Sequence, residues 1–310
     1  MTRQDLFALT YGPSGCGKTL GAIRAFPDGL FIAPIGATKC ANFLDVTPKT
    51  VTPRNVGEIV NILRSKDTKK CPAVVVDDFS IIADAELQQC KQRFKGWSAF
   101  DEFNKRVYEL RDAAREAGIP VVFTMHQQAP KEVTNEHGTR HIPGAPLIPG
   151  WQLPEKLPAM ADFVARVVYS GESLGSWPYV YQTGPDASYV TKDRLGISPP
   201  TFPLNLRVLL LEAGYNLPRP KALQWMDKIV TGLVPKLQPI LQEKNKEELQ
   251  QLLTKCFQQL NGKYSQPHIR WALMDAIDTA NLKLHRLTLV DNFITNISNN
   301  LGEQSNDLGI

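Results

Sequence analysis

Residues 11 to 19 read "YGPSGCGKT", and no other stretch constrains the fold as tightly. The string fits G-x-x-x-x-G-K-[ST], opening at Gly12 and closing at Gly17-Lys18-Thr19. Glycines at 12, 15 and 17 let the backbone curl until successive N–H groups face one point. A helix starting at Lys18 aims its own N-terminus at that same point. Such a turn needs a strand before it and a helix after it. "LFALTY" is a short apolar run that stops at the glycine turn, and Pro27-Asp28-Gly29 ends a helix running from Lys18 to about Phe26. The sequence therefore predicts a phosphate cradle built from Gly12, Pro13, Ser14, Gly15, Cys16, Gly17, Lys18, Thr19 and Leu20. Lys18 would reach the β- and γ-phosphates of a nucleotide, and the Thr19 hydroxyl would bind Mg²⁺. Cys16 would contribute only its backbone. The alternative, a chance glycine-rich turn, lacks the strand and helix on either side.

The rest of the first 200 residues alternates strands with helices. "LFIAPIG", "PAVVVDDFS" and "PVVFTMHQ" are strand-like, and "VGEIVNILRS" is apolar at helical spacing. Between them, Phe100, Phe103, Val107, Leu110, Ala114 and Ala117 step by three and four, so Ser98 to Ala117 is a helix with a charged outer face. This alternation predicts an α/β fold with a parallel central sheet covered on both sides. "QAPKEVTNEHGTRHIPGAPLIPGWQLPEKL" breaks the pattern and reads as a long loop rich in Pro and Gly. Strands resume at "FVARVVYS", "YVYQTG" and "YVTKDR". Beyond Pro199-Pro200 the chain turns helical and rich in Gln and Asn, so residues 1–200 are expected as one domain and 201–310 as an α-helical one. Five scattered cysteines without a C-x-x-C pair read as reduced thiols, and a net charge of +4 permits nucleic-acid contact without announcing it. No apolar run is long enough to span a membrane, so the expectation is a cytoplasmic protein.

Three further sets of side chains carry chemistry. Asp77 ends the valine-rich strand and is assigned to Mg²⁺; Asp78 is either a general base for water or a helix-start carboxylate. His126 ends "VVFTMHQQ", where a polar side chain can sense a γ-phosphate or simply close a sheet edge. Lys192 and Arg194, two apart on a strand, point to one face and suit developing phosphoryl charge, unless they are a solvated edge. No N-K-x-D follows a late strand, so ATP is the expected nucleotide.

Taken in order, "YGPSGCGKT", "AVVVDDFS", "VVFTMHQ", "LPAMADFVARV" and "YVTKDRLG" resemble phage-encoded P-loop ATPases with a RecA-like core. That group includes ATPases of single-strand annealing and homologous recombination, and the resemblance covers roughly residues 4–200. "KDRLG" looks like the K-x-R element of RecA-like motors and replicative helicases, which enters a neighbouring subunit's nucleotide site. The resemblance thus implies that Lys192 and Arg194 act in trans within a ring or filament. It also implies a DNA-facing loop after "TMHQQ", where Lys131, Arg140 and Lys156 offer cations and Trp151 a stacking ring; an ordinary flexible lid has the same composition. Single-stranded DNA and other phage replication or recombination proteins are the implied partners, in the cytoplasm of an infected host. One departure stands out. RecA-type enzymes carry a catalytic glutamate after the strand that follows the P-loop helix, and here Pro34 and Ile35 occupy that place. Asp78 is then the candidate base, or hydrolysis is slow. Helicase or packaging motors, and a non-hydrolysing nucleotide-binding adaptor, remain alternative readings.

Overall fold

Seven consecutive buried residues in β1 (Leu6–Gly12) need cover on both faces of the sheet, and the architecture supplies it. The structure is a computed structural model; it describes residues 5–136, 138–150, 152–170, 179–196 and 199–307, with side chains to residue 287 except that of residue 135. After β1 come α1 (Lys18–Ala25), β2 (Leu30–Ile32), β3 (Lys49–Val51), α2 (Val56–Arg64), β4 (Val74–Val76), α3 (Phe79–Arg93), α4 (Trp97–Glu116) and β5 (Pro120–Gln128). Then follow β6 (Lys131–Asn135), β7 (Gly138–Ile142), β8 (Ala145–Pro146), α5 (Leu153–Met160), β9 (Phe163–Tyr169), β10 (Tyr179–Gln182), β11 (Lys192–Asp193), β12 (Thr201–Pro203) and α6 (Leu206–Glu212). The remaining helices are α7 (Gln224–Gln242), α8 (Lys246–Leu260) and α9 (Gln266–Asp307).

The main sheet has the order β12-β10-β9-β1-β5-β4-β2-β3. The run from β9 to β3 is parallel, and β10 and β12 extend it antiparallel. Register places Gly12 beside His126 and Tyr11 beside Arg166, so the cradle opens between the C-terminal ends of β1, β5 and β9. One face of the sheet carries the main core, where Phe7, Leu9, Val76 and Phe123 meet the apolar sides of α2, α3 and α4. Phe123 sits 5.2 Å edge-on to Phe7 and 4.8 Å from Phe79, which locks the start of α3 against β5. On the other face α1 is tied to the α6 approach by Arg24, whose Nη1 donates to the Leu204 carbonyl at 3.0 Å.

Two findings differ from the sequence reading. The segment from Gln128 to Leu157 is not a loop: β6 and β7 form a separate two-stranded ribbon, and α5 follows it. Nearly every ribbon residue is exposed, so no apolar alternation marks it, and Gly138 takes the left-handed φ of +116° that closes the turn. The compact core also reaches past residue 200. One unit spans Met1–Gln224, because β12 pairs with β10, and a second spans Trp225–Ile310. The second unit is helical, with Leu237, Ile269, Leu273 and Ala276 at its centre. Among the described residues no helix is long and apolar enough to cross a membrane.

Candidate nucleotide site

Glycine is needed at the cradle for two reasons. Gly15 and Gly17 have φ of +75° and +93°, a backbone region that side chains disfavour. At Gly12 the reason is space: a Cβ there would lie 2.7 Å from the Val167 carbonyl oxygen of β9. The loop therefore packs backbone against backbone, which leaves its N–H groups and the start of α1 open to an anion. Lys18 folds back over the loop, its Nζ donating to the carbonyls of Pro13 (2.8 Å) and Gly12 (3.2 Å), and it is buried. A bound phosphate would replace those neutral acceptors with charge-assisted ones. The Cys16 thiol is buried and raised above its ordinary value by that burial, so it is a packed thiol rather than a reactive one.

Thr19 and Asp77 meet across the pocket, the hydroxyl donating to the carboxylate at 2.9 and 3.1 Å. Thr124 of β5 donates to the same carboxylate from the other side. Asp77 is 3 % exposed, and burial raises its carboxyl above the usual range, against the two threonine hydrogen bonds, which lower it. A buried carboxylate beside a hydroxyl, both oxygen donors, fits Mg²⁺, which uses one or two protein oxygens together with substrate phosphates and water. Among the described residues no cluster of three or more His, Cys, Asp or Glu side chains could hold an ion by itself.

Asp78 caps α3, its Oδ1 accepting from the Ser80 N–H at 2.8 Å. Its Oδ2 lies 3.1 Å from His126 Nε2. Lys18, Thr19, Asp77, Asp78 and His126 all line one cavity of about 600 Å³, whose rim includes Ile35 (93 % exposed), Phe43 (71 %) and Ile81 (54 %). Cys40 also lines it, its thiol pushed up to about 11 by burial.

The other expected residues lie elsewhere. Lys192 pairs with Val164 of β9, level with the middle of β1, and its Nζ donates to the carbonyls of Ala159 (2.5 Å) and Pro158 (3.5 Å) at the end of α5. Burial and the nearby Arg194 guanidinium hold its ammonium below the usual value. Arg194 stands just past the two-residue β11, not on it, and pairs with Asp162 at 3.7 Å. Asp162 accepts from the Phe7 N–H at 3.1 Å, and Phe7 lies five residues before Gly12 on β1, about 16 Å away at ~3.3 Å per residue. Neither cation reaches the cradle of its own chain. Lys131 and Arg140 come together on one face of the ribbon, because Lys131 pairs with Ile142 and Val133 with Arg140. Arg140 is paired with Glu155 of α5 at 3.5 Å. Lys156 points instead into a hollow it shares with Asp101 and Asp112 of α4, and Trp151 lies outside the described residues.

Sequence reasoning missed two groups. Thr124 left one faint signal, a lone hydroxyl in the apolar run "VVFTM". The second group is a polar cluster beside the cradle, where Arg166 donates to Gln127 (3.2 Å) and Gln182 (3.3 Å) and stacks 3.3 Å over the Tyr189 ring. Its members come from four separated segments, so no sequence window contains it.

Two solved structures align with about three fifths of the chain. A KaiC-like protein from the hyperthermophilic archaeon Pyrococcus horikoshii OT3 is 13 % identical over 61 % of this chain and 84 % of its own, with a TM-score of 0.37. The RadB recombinase is 15 % identical over 59 % and 89 %, with a TM-score of 0.34. No curated protein matches the sequence. The AAA domain matches residues 5–195, which hold the whole cradle, both aspartates and His126, and the chain belongs to that P-loop family.

Proposed function

We propose that this protein binds and hydrolyses ATP with Mg²⁺, and that it works on single-stranded DNA as an oligomer, in annealing or recombination of the kind phages encode. The observation that carries the reading is the convergence of Lys18, Thr19 and Asp77 in one cavity at the end of β1. In this reading the cradle N–H groups and Lys18 bind the β- and γ-phosphates. Thr19 and Asp77 hold Mg²⁺, which supplies charge neutralisation to the phosphates. Lys131 and Arg140 on the exposed ribbon offer two cations to a DNA backbone. Lys192 and Arg194 serve the cradle of a neighbouring copy in a ring or filament, and the same core would suit a helicase or packaging motor.

A second reading, a nucleotide-binding adaptor that does not hydrolyse, is favoured by Ile35 where a carboxylate would stand. ATP turnover with and without single-stranded DNA separates the two, measured on wild type, Lys18→Ala and Arg194→Ala. The proposal expects DNA to raise the rate, Lys18→Ala to abolish it, and mixed Lys18→Ala and Arg194→Ala subunits to regain part of it. Tight ATP binding with background turnover, unchanged by DNA, would establish the adaptor.

A further inference from the structure

We infer that His126 takes the proton of the attacking water and that Asp78 is the positioning residue that sets its imidazole. The inference rests on the ATP-hydrolysing reading and names the group that replaces the carboxylate missing at Ile35. Asp78 Oδ1 accepts from the Ser80 N–H at 2.8 Å, and Oδ2 lies within ion-pair distance of His126 Nε2, at 3.1 Å. In a neutral imidazole whose proton sits on the nitrogen beside that carboxylate, Nδ1 is a lone-pair acceptor. Nδ1 has no partner among the described residues, and the His126 side chain keeps 31 % exposure on the cavity wall.

The ring is also held in place. The His126 N–H donates to Ser80 Oγ at 2.9 Å, Ser80 Oγ donates to the Leu147 carbonyl at 2.6 Å, and the Leu147 N–H donates back to the His126 carbonyl at 2.7 Å. This closed loop fixes the end of β5 to the start of α3, so one structural unit presents base and orienting carboxylate together. It is the arrangement of an activated nucleophile, with water in the nucleophile's place. In the step itself, the water oxygen bonds to the γ-phosphorus as the γ-phosphorus–oxygen bond to ADP breaks, and the bond's electron pair stays on ADP. The water proton passes to Nδ1, the imidazolium is balanced by Asp78, and the proton then leaves to solvent.

Single-turnover ATP hydrolysis by the full chain with single-stranded DNA tests this, using wild type, His126→Ala, His126→Gln, Asp78→Asn and Lys18→Ala, each with and without added imidazole. His126→Ala should be slower by about 10²–10⁴-fold, the range of general-base catalysis. Imidazole should recover at least tenfold of that loss in His126→Ala and nothing in Lys18→Ala. His126→Gln, which keeps a polar side chain beside Asp78 but has no proton-accepting nitrogen, should remain slow while binding ATP as wild type does. Asp78→Asn should slow the step without large loss of ATP affinity. The inference is overturned if His126→Gln runs at the wild-type rate, or if imidazole leaves His126→Ala unchanged while ATP binding is intact. Should His126→Ala not fold, the glutamine variant decides by the same criterion. If wild type is no faster than Lys18→Ala, the hydrolysing reading itself falls and this inference with it.

Discussion

Gly21 sits inside α1, where replacing glycine by alanine ordinarily gains about 0.5–1 kcal/mol of stability. Here the sign should reverse. A Cβ at Gly21 would lie 2.6 Å from the Tyr181 hydroxyl and 3.2 Å from Leu204. Tyr181 is fully buried on β10, between β9 and β12, so its ring has no solvent side to retreat to. Overpacking of this kind costs about 1–3 kcal/mol, which, less the propensity gain, leaves Gly21→Ala less stable by up to about 2.5 kcal/mol. The Tyr181 hydroxyl has no hydrogen-bond partner among the described residues, so Tyr181→Phe removes an unsatisfied buried polar group and should be neutral or stabilising. In the double variant the obstructing oxygen is gone, and the helix-propensity gain of alanine returns. The cycle should therefore show a coupling of about 1–3 kcal/mol, read as chemical-denaturation midpoints or as melting shifts of roughly 2–4 °C per kcal/mol. Because α1 also carries Lys18 and Thr19, ATP affinity should fall in Gly21→Ala and return in the double variant. Additivity within about 0.5 kcal/mol, or a Gly21→Ala variant more stable than wild type, would refute the packing argument.

Two more outcomes follow from the site and the ribbon. Burial raises the Asp77 carboxyl above its ordinary 3.8, so the folded state holds that proton more tightly than the unfolded one; the group's contribution to stability is complete at low pH and is lost as pH rises from the ordinary carboxylate range through the raised value. Asp77→Asn should therefore raise the neutral-pH melting temperature of the nucleotide-free protein, flatten its pH dependence above that range, and abolish stabilisation by Mg²⁺ with ATP; a lower melting temperature would refute this. Arg140 and Glu155 are an exposed pair worth about 0–1 kcal/mol, so Glu155→Gln should leave stability unchanged. Freed from Glu155, Arg140 should tighten single-stranded DNA binding and steepen its salt dependence by about 0.7 in log–log slope, and an unchanged slope would remove Arg140 from the DNA contact.

What was legible in the sequence follows burial. β1, β4 and β5 are covered on both faces, so they appear as continuous apolar runs, and α4 shows its inner stripe in Phe103, Val107 and Leu110. β6 and β7 are exposed on both faces, so nothing in their hydrophobicity marks them as strands. That Lys18, Thr19 and Asp77 line one cavity was legible because one local backbone geometry dictates the first two and a strand end the third. The Asp78–His126 contact joins residues 48 positions apart through the register of β4 and β5, and a single sequence contains no trace of that register. Lys192 and Arg194 were identifiable as neighbours, but their distance from the cradle depends on β11 pairing with the early part of β9, at Val164 and Phe163.

That distance bears on how the site is completed. Among the described residues lining the cavity, Lys18 is the only cation, set against Asp77 and Asp78, so the cavity wall is net negative before any nucleotide arrives. A triphosphate, and still more its transition state, concentrates negative charge that Mg²⁺ and one lysine meet only in part. At the other end of β1 the imbalance is reversed. There the Asp162 carboxylate is shared between Arg115 at 3.5 Å and Arg194 at 3.7 Å, and Lys192 is satisfied by neutral carbonyls alone. Arg194 is 56 % exposed and its pairing is loose, so little holds it from a better anion. One end of the sheet lacks a cation and the other has one to offer. In the proposed oligomer a head-to-tail contact between copies would bring the two ends together, and such contacts generate rings when they close and filaments when they do not.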